Sequence, residues 1–151
     1  MSKRNKYYSF TAMADAVKKH NQNIQIDYSY NSGITPERGP NKDITILRSV
    51  VGTDYYADNL KDYKNVIYTL YGPIGDQYEH EKRYNKKLLD KNISKHIYLY
   101  EVEQITSSKK QYKWFGKYEL LPNTKQILDH PGLDGKMRKI INYTLKYISR
   151  Y

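Results

Sequence analysis

The chain has 151 residues, 26 Lys+Arg against 16 Asp+Glu, a net charge of +10 and no cysteine. That is the length of one domain with a real core, and the missing thiols exclude disulfides, thiolate nucleophiles and the common zinc frameworks. No apolar run approaches the roughly 20 residues of a membrane span, and no apolar signal region follows the basic Met1-Ser2-Lys3-Arg4. The expectation is one cytoplasmic domain over 1–151, whose basic excess suits a polyanion such as nucleic acid.

Residues 1–8 read as a polar, flexible lead-in. Over 9–20 the pattern turns helical: Phe10, Met13, Ala14 and Val17 recur at helical spacing, and Lys18, Lys19 and His20 suit the last turn. Ile24, Ile26, Tyr28 and Tyr30 alternate, which predicts a strand over 24–30. The stretch 31–43, with Gly33, Pro36, Gly39 and Pro40, predicts a turn-rich connection. A strand at 44–47, a polar loop at 52–65, a strand at 66–71 and a glycine turn at 72–76 follow. Residues 79–91 predict a basic helix with Tyr84 and Leu88 on one face. Three more strands are expected at 97–105, 111–121 and 137–148, the last two separated by a loop at 123–135. About six strands and two helices without βαβ alternation give an α+β class, with a strongly curved, mostly antiparallel sheet or open barrel flanked by helices.

Tyrosine dominates the aromatics, with 18 Tyr against one Trp and two Phe. Each offers an apolar face and a polar tip, although a codon composition rich in Lys, Asn, Ile and Tyr would produce the same excess. The densest chemistry lies between Tyr55 and Asn85: Tyr55-Tyr56-Ala57-Asp58, Tyr68-Thr69, Gly72-Pro73-Ile74-Gly75-Asp76-Gln77 and Arg83-Tyr84-Asn85. Aromatics, a carboxylate and a hydroxyl on turns between apolar runs suit the grip on one planar, hydrogen-bonding ring. Basic surface around them suits a phosphodiester backbone. Arg38, Lys42, Lys82, Arg83, Lys86 and Lys87 are the candidate phosphate contacts, and Arg38 in its Pro/Gly-shaped loop could also reach a guanine edge. Asp76 is expected to cap the following helix, and Asn85 to bond backbone near the turn.

Enzymatic signatures are missing. His80 sits between Glu79 and Glu81 with no second histidine at ligand spacing, and there is no Gly-x-Ser-x-Gly, P-loop or Gly-x-Gly-x-x-Gly. The expectation is a chain without catalytic residues, metal or cofactor.

Five segments in order resemble the SRA (YDG) domain of the PUA-like superfamily, as found in bacterial modification-dependent restriction endonucleases. They are Tyr55-x-x-Asp58, Tyr68-Thr69 with Gly75-Asp76-Gln77, Arg83-x-Asn85 with Leu88, Tyr112-x-Trp114-Phe115-Gly116-x-Tyr118, and Asp134-Gly135-x-x-Arg138 leading into Tyr143 and Leu145. The likeness runs over 33–145 and departs from the family's pattern at Leu70, Gly72-Pro73 and Asp54. It implies a curved PUA-like sheet that binds duplex DNA and flips a modified cytosine into a pocket. By position Tyr55 and Tyr68 would sandwich the base, with Tyr56 the alternative stacking residue. Asp58 would accept from the exocyclic amine and Thr69 would line the pocket. The mark would be 5-methyl, 5-hydroxymethyl or a relative, and any nuclease domain or subunit would lie elsewhere. Two readings stay open beside it. One is a PUA-like reader of N6-methyladenine or RNA, using a third aromatic among Tyr56, Tyr71 and Trp114. The other is a basic protein-interaction factor of phage or host origin.

Overall fold

The computed structural model describes residues 5–24, 26, 33–36, 43–79 and 83–151. In chain order these form β1 (Asn5–Tyr7), α1 (Phe10–His20), β2 (Ile34–Thr35), β3 (Ile44–Val50), β4 (Asn65–Thr69), α2 (Arg83–Leu89), β5 (His96–Thr106), β6 (Lys109–Pro131) and β7 (Met137–Ser149). Ser9 starts α1 by accepting the Ala12 N–H at 3.0 Å, and Asn21 ends it. Phe10, Met13, Ala14 and Val17 are its buried stripe.

The strands make one sheet in the order β2-β3-β5-β6-β7-β4, curled into a half-barrel, with β1 paired to β6. Every ladder is antiparallel except β3–β5, which is parallel because the chain crosses over through β4 and α2 between them. β6 is the spine. Its first half lies between β5 and β1, and its second half between Lys117 and Pro131 pairs with β7.

Alternation along the strands divides the apolar residues between two faces. Ile44, Ile46, Tyr98, Tyr100, Val102 and Trp114 pack beneath α1. Leu47, Leu99, Phe115, Tyr118, Ile141 and Leu145 fill the opposite, inner face, together with Val66 and Tyr68 of β4 and Leu88 of α2. Each such side chain contributes about 1.5–3 kcal/mol through burial. Between the pairs Leu99–Gly116 and Tyr100–Trp114 the register shifts, leaving Phe115 as an extra residue on β6. Trp114 and Phe115 fill opposite cores as ordinary alternation requires, and the bulge shifts the phase so that Phe115 and Tyr118, three positions apart, share the inner one while the strand bends.

The structure corrects several expectations. Asn5–Tyr7 is a strand paired with Tyr112–Trp114, not a free lead-in. Ile24 and Ile26 are buried against α1 but lie in no strand, and 27–30 fall outside the described residues. The expected loop over 123–135 is largely strand, because β6 continues to Pro131. Its outer half is mostly exposed, so no apolar alternation announced it. The basic helix is shorter than expected, Arg83–Leu89, with 80–82 outside the described residues.

Gly116 has φ +116, and a Cβ there would meet the Ser149 and Arg150 carbonyl oxygens at 2.5 and 3.0 Å. Gly116→Ala is therefore expected to destabilise the fold by about 1–3 kcal/mol, read as a lower denaturation midpoint at unchanged m-value. An unaltered midpoint would mean that the bulge relaxes freely.

Candidate functional site

After β3 the chain turns at Gly52 (φ +86) and runs back along β4. Asn59 and Ile67 exchange backbone hydrogen bonds of 2.8 and 3.0 Å, and the Ala57 N–H donates to Thr69 Oγ1 at 3.0 Å. This seam carries Asp58 inside the half-barrel. The Asp58 carboxylate accepts from Ser49 Oγ at 2.8 Å and from the Thr69 N–H at 2.7 Å. Thr69 Oγ1 in turn donates to Asn142 Oδ1 on β7 at 2.8 Å. Burial still outweighs these donors and holds the Asp58 carboxyl above the usual range.

Tyr68 is buried on β4, and its hydroxyl donates to the Gly33 carbonyl at 2.8 Å. The Tyr56 hydroxyl accepts the Gly72 N–H at 3.1 Å, and burial pushes its pKa up to about 12. The Tyr55 and Tyr56 ring centroids lie 4.8 Å apart, tilted by 57°.

The facing wall is the turn after β4. Asn85 of α2 accepts the Tyr71 N–H at 2.7 Å and donates to the Tyr71 carbonyl at 2.8 Å. Gln77 donates to the Leu70 and Gly72 carbonyls at 2.7 and 3.1 Å and accepts the Ile141 N–H at 2.8 Å. Arg138 of β7 is 4% exposed; its guanidinium donates to the Tyr55, Gly72 and Gly75 carbonyls and lies 5.9 Å from the Tyr56 ring centroid. One cation thus ties the aromatic loop to the glycine turn. The β6–β7 connection closes over that turn through Leu133 N–H to the Pro73 carbonyl, 2.8 Å.

These walls enclose a cavity of about 210 Å³, lined by Tyr55, Tyr56, Asp58, Tyr68, Thr69 and Tyr71, with Pro73 and Leu133 at its edge. It is smaller than the about 300–1,000 Å³ of drug-sized sites, a scale suited to one heterocycle. Its rings offer π-faces and Asp58 offers a desolvated acceptor.

All five residues expected in the pocket line this one cavity. Of the expected phosphate contacts, Arg83 and Lys86 are exposed on α2 and Lys87 is half-buried. Arg38, Lys42 and Lys82 lie outside the described residues. Asp76 does not cap a helix: it accepts the Lys139 N–H of β7 at 2.8 Å, and α2 starts seven positions later at Arg83. Asn85 bonds the pocket-side backbone as expected. Sequence reasoning missed Ser49 and Asn142, which hold Asp58 and Thr69. It also left Arg138 without a role, although Arg138 stood in a matched motif. Among the described residues no cluster of three His, Asp or Glu could hold a metal ion, and no helix is long and apolar enough to cross a membrane.

No protein-family model matches the chain, and no curated protein matches it either. Solved structures do share its fold. The DNA recognition domain of the cytosine modification-dependent restriction endonuclease LpnPI superposes with a TM-score of 0.58 at 14% identity, over 94% of this chain and 71% of that one. A structure of the sulfur binding domain and SRA domain of ScoMcrA, complexed with phosphorothioated DNA, gives 0.54 at 14% identity over 99% of this chain. KRYPTONITE in complex with mCHG DNA and SAH gives 0.53 at 17% identity, again over 99%. The chain spans 41% of the ScoMcrA chain and 32% of the KRYPTONITE chain. At these identities the likeness establishes the fold.

Replacing Arg138 by Leu removes charge-assisted bonds from three carbonyls. The expected cost is about 2–4 kcal/mol, with faster hydrogen exchange at the Gly72 amide while the β5–β6 ladder stays protected. Uniform loosening of both regions would show that Arg138 supports the whole sheet and not this wall.

Proposed function

We propose that this chain, whose fold is that of SRA domains, binds duplex DNA and reads a modified cytosine by taking the flipped base into the Tyr55/Asp58/Tyr68 cavity. It would serve as the specificity module of a restriction or defence system whose nuclease lies elsewhere. The observation that carries the reading is a single-ring cavity with aromatic walls and a desolvated carboxylate, in a chain of net charge +10. The modified-cytosine specificity named for LpnPI supports it, since that domain shares the fold.

The energetics are consistent. Flipping costs a few kcal/mol of pairing and stacking. Aromatic stacking returns about 1–3 kcal/mol per base, and phosphate contacts add a salt-dependent term. Tyr55 and Tyr68 are the proposed stacking pair, with Tyr56 and Tyr71 completing the walls and Thr69 beside the base. Arg83, Lys86 and Lys87 would meet the backbone. An ionised Asp58 accepts from the cytosine amine, whereas the thymine carbonyl in that place would face it unpaired, so the carboxylate rejects as well as selects.

The test is a titration at fixed salt with matched duplexes carrying cytosine, 5-methylcytosine, 5-hydroxymethylcytosine or N6-methyladenine at one site. A preference for a cytosine mark is expected. In Asp58→Asn affinity for the marked-cytosine duplex should fall about tenfold or more while the fold persists, because the amide oxygen can still accept the Thr69 N–H. Preference for N6-methyladenine would favour the third aromatic, Tyr71, over the carboxylate. Equal, weak binding to every duplex would refute a reader of any mark.

The titration of Asp58 gives an independent check. Its folded-state pKa is raised, so protonation begins above the ordinary Asp value of about 3.9. Selectivity against thymine should therefore decay as pH falls towards that raised value, because a protonated carboxyl presents a donor. Stability runs the other way. The folded state keeps a proton that the unfolded state has lost, so this group's contribution falls as pH rises from about 3.9 through the raised pKa. Both slopes should vanish in Asp58→Asn, measured by binding and by denaturation across that window.

A further inference from the structure

The cavity adjoins a second space about six times larger. A groove of about 1,290 Å³ runs along the inner face of the sheet, and it shares Val50, Thr53, Tyr56 and Asp58 with the cavity of about 210 Å³. Its floor holds Glu101 of β5 and Lys113 of β6, opposite each other in the ladder. Their side chains are only 17% and 27% exposed, and the charged atoms stand 3.9 Å apart. They form an ion pair without a hydrogen bond at that separation, which leaves hydrogen-bonding capacity on both groups beside the groove. Burial also raises the Glu101 carboxyl above its ordinary range. Lys6 and Lys61 line the same groove.

We propose that this groove is a subsite for a neutral, hydroxyl-rich group of about hexose size carried on C5 of the flipped base. The proposal rests on the cytosine reading above and names the substrate class for the same site. The chemistry fixes the direction. In cytosine C5 is bonded to C4, so an amine at Asp58 puts the C5 substituent next to the same carboxylate, where the two spaces meet. A methyl group would end inside the small cavity and leave the groove empty. A sugar linked through a hydroxymethyl carbon is long enough to enter it. Acceptor and donor side by side on a half-buried floor suit hydroxyl groups, which use both.

The experiment compares duplexes carrying cytosine, 5-methylcytosine, 5-hydroxymethylcytosine and glucosylated 5-hydroxymethylcytosine at one site. The wild-type chain is tested beside a Glu101→Gln/Lys113→Met variant shown to be folded by circular dichroism. The expected result is about tenfold tighter binding of the glucosylated duplex than of the 5-methylcytosine duplex. The variant should lose that gain and keep its 5-methylcytosine affinity. If the glucosylated duplex binds no better than unmodified DNA while 5-methylcytosine is preferred, the subsite is refuted and the base pocket stands. A gain that survives in the variant also refutes the subsite. If no modified duplex is preferred, the base-reading function and the subsite fall together.

Discussion

A carboxylate removed from water must be met by donors, and the way Asp58 is met organises the surrounding structure. Leaving it ionised and unpaired in the interior would cost many kcal/mol, so the chain brings Ser49 from β3 and the Thr69 N–H from β4 to it. The Thr69 hydroxyl is itself held between the Ala57 N–H and Asn142 on β7. Three strands and the returning loop are thereby registered on one residue. The donors do not fully repay the burial, which leaves the carboxyl raised and facing the cavity as an acceptor with capacity left.

The opposite wall has the reverse problem. The turn after β4 presents carbonyls inward, at Leu70, Tyr71, Gly72 and Gly75, where no ladder reaches them. Buried backbone acceptors need partners, and Gln77 of the turn itself, Asn85 of α2 and Arg138 of β7 supply them. Side chain–backbone bonds therefore set the width of the cavity, with the sheet behind them as a rigid support. A site held this way is ordered before a ligand arrives, and less entropy is lost on binding.

This division explains what the sequence revealed. α1 was legible because it buries one face and so carries a period, while β5, the first half of β6 and β7 stood out as apolar, aromatic-rich runs between turns, β5 and β6 burying residues on both faces. The outer half of β6 was not, since exposed hairpin strands need no apolar alternation. Asn5–Tyr7 is too short to carry a period, and the parallel β3–β5 pairing is a matter of topology that no local pattern records. In the pocket, Tyr55, Asp58, Tyr68 and Thr69 stood out by residue type and order. Ser49 and Asn142 are ordinary polar residues on strands, and their role exists only through contacts 9 and 73 positions away in the chain. Arg138 was visible as a residue, but its three carbonyl partners are assembled only by the fold.

The hydroxyl groups narrow what the cavity can discriminate. Tyr68 donates its hydroxyl proton to the Gly33 carbonyl, Tyr56 receives the Gly72 N–H, and Thr69 is bonded on both sides. The groups that sequence alone would offer as hydrogen-bonding readers are thus engaged in holding the walls. Tyr68 presents mainly carbon to a ring, which attracts every base about equally, while Tyr56 accepts from Gly72 and keeps its own O–H as a donor. On the proposed reading, selection then rests on Asp58, on Arg48, which lines the same cavity, and on shape. A single acceptor separates an amine from a carbonyl, and hence cytosine from thymine, but it is indifferent to a group on the neighbouring carbon. If the chain reads cytosine as proposed, the residues that would distinguish one C5 substituent from another are those where the cavity ends beside that carboxylate, at Val50, Thr53 and the groove beyond them.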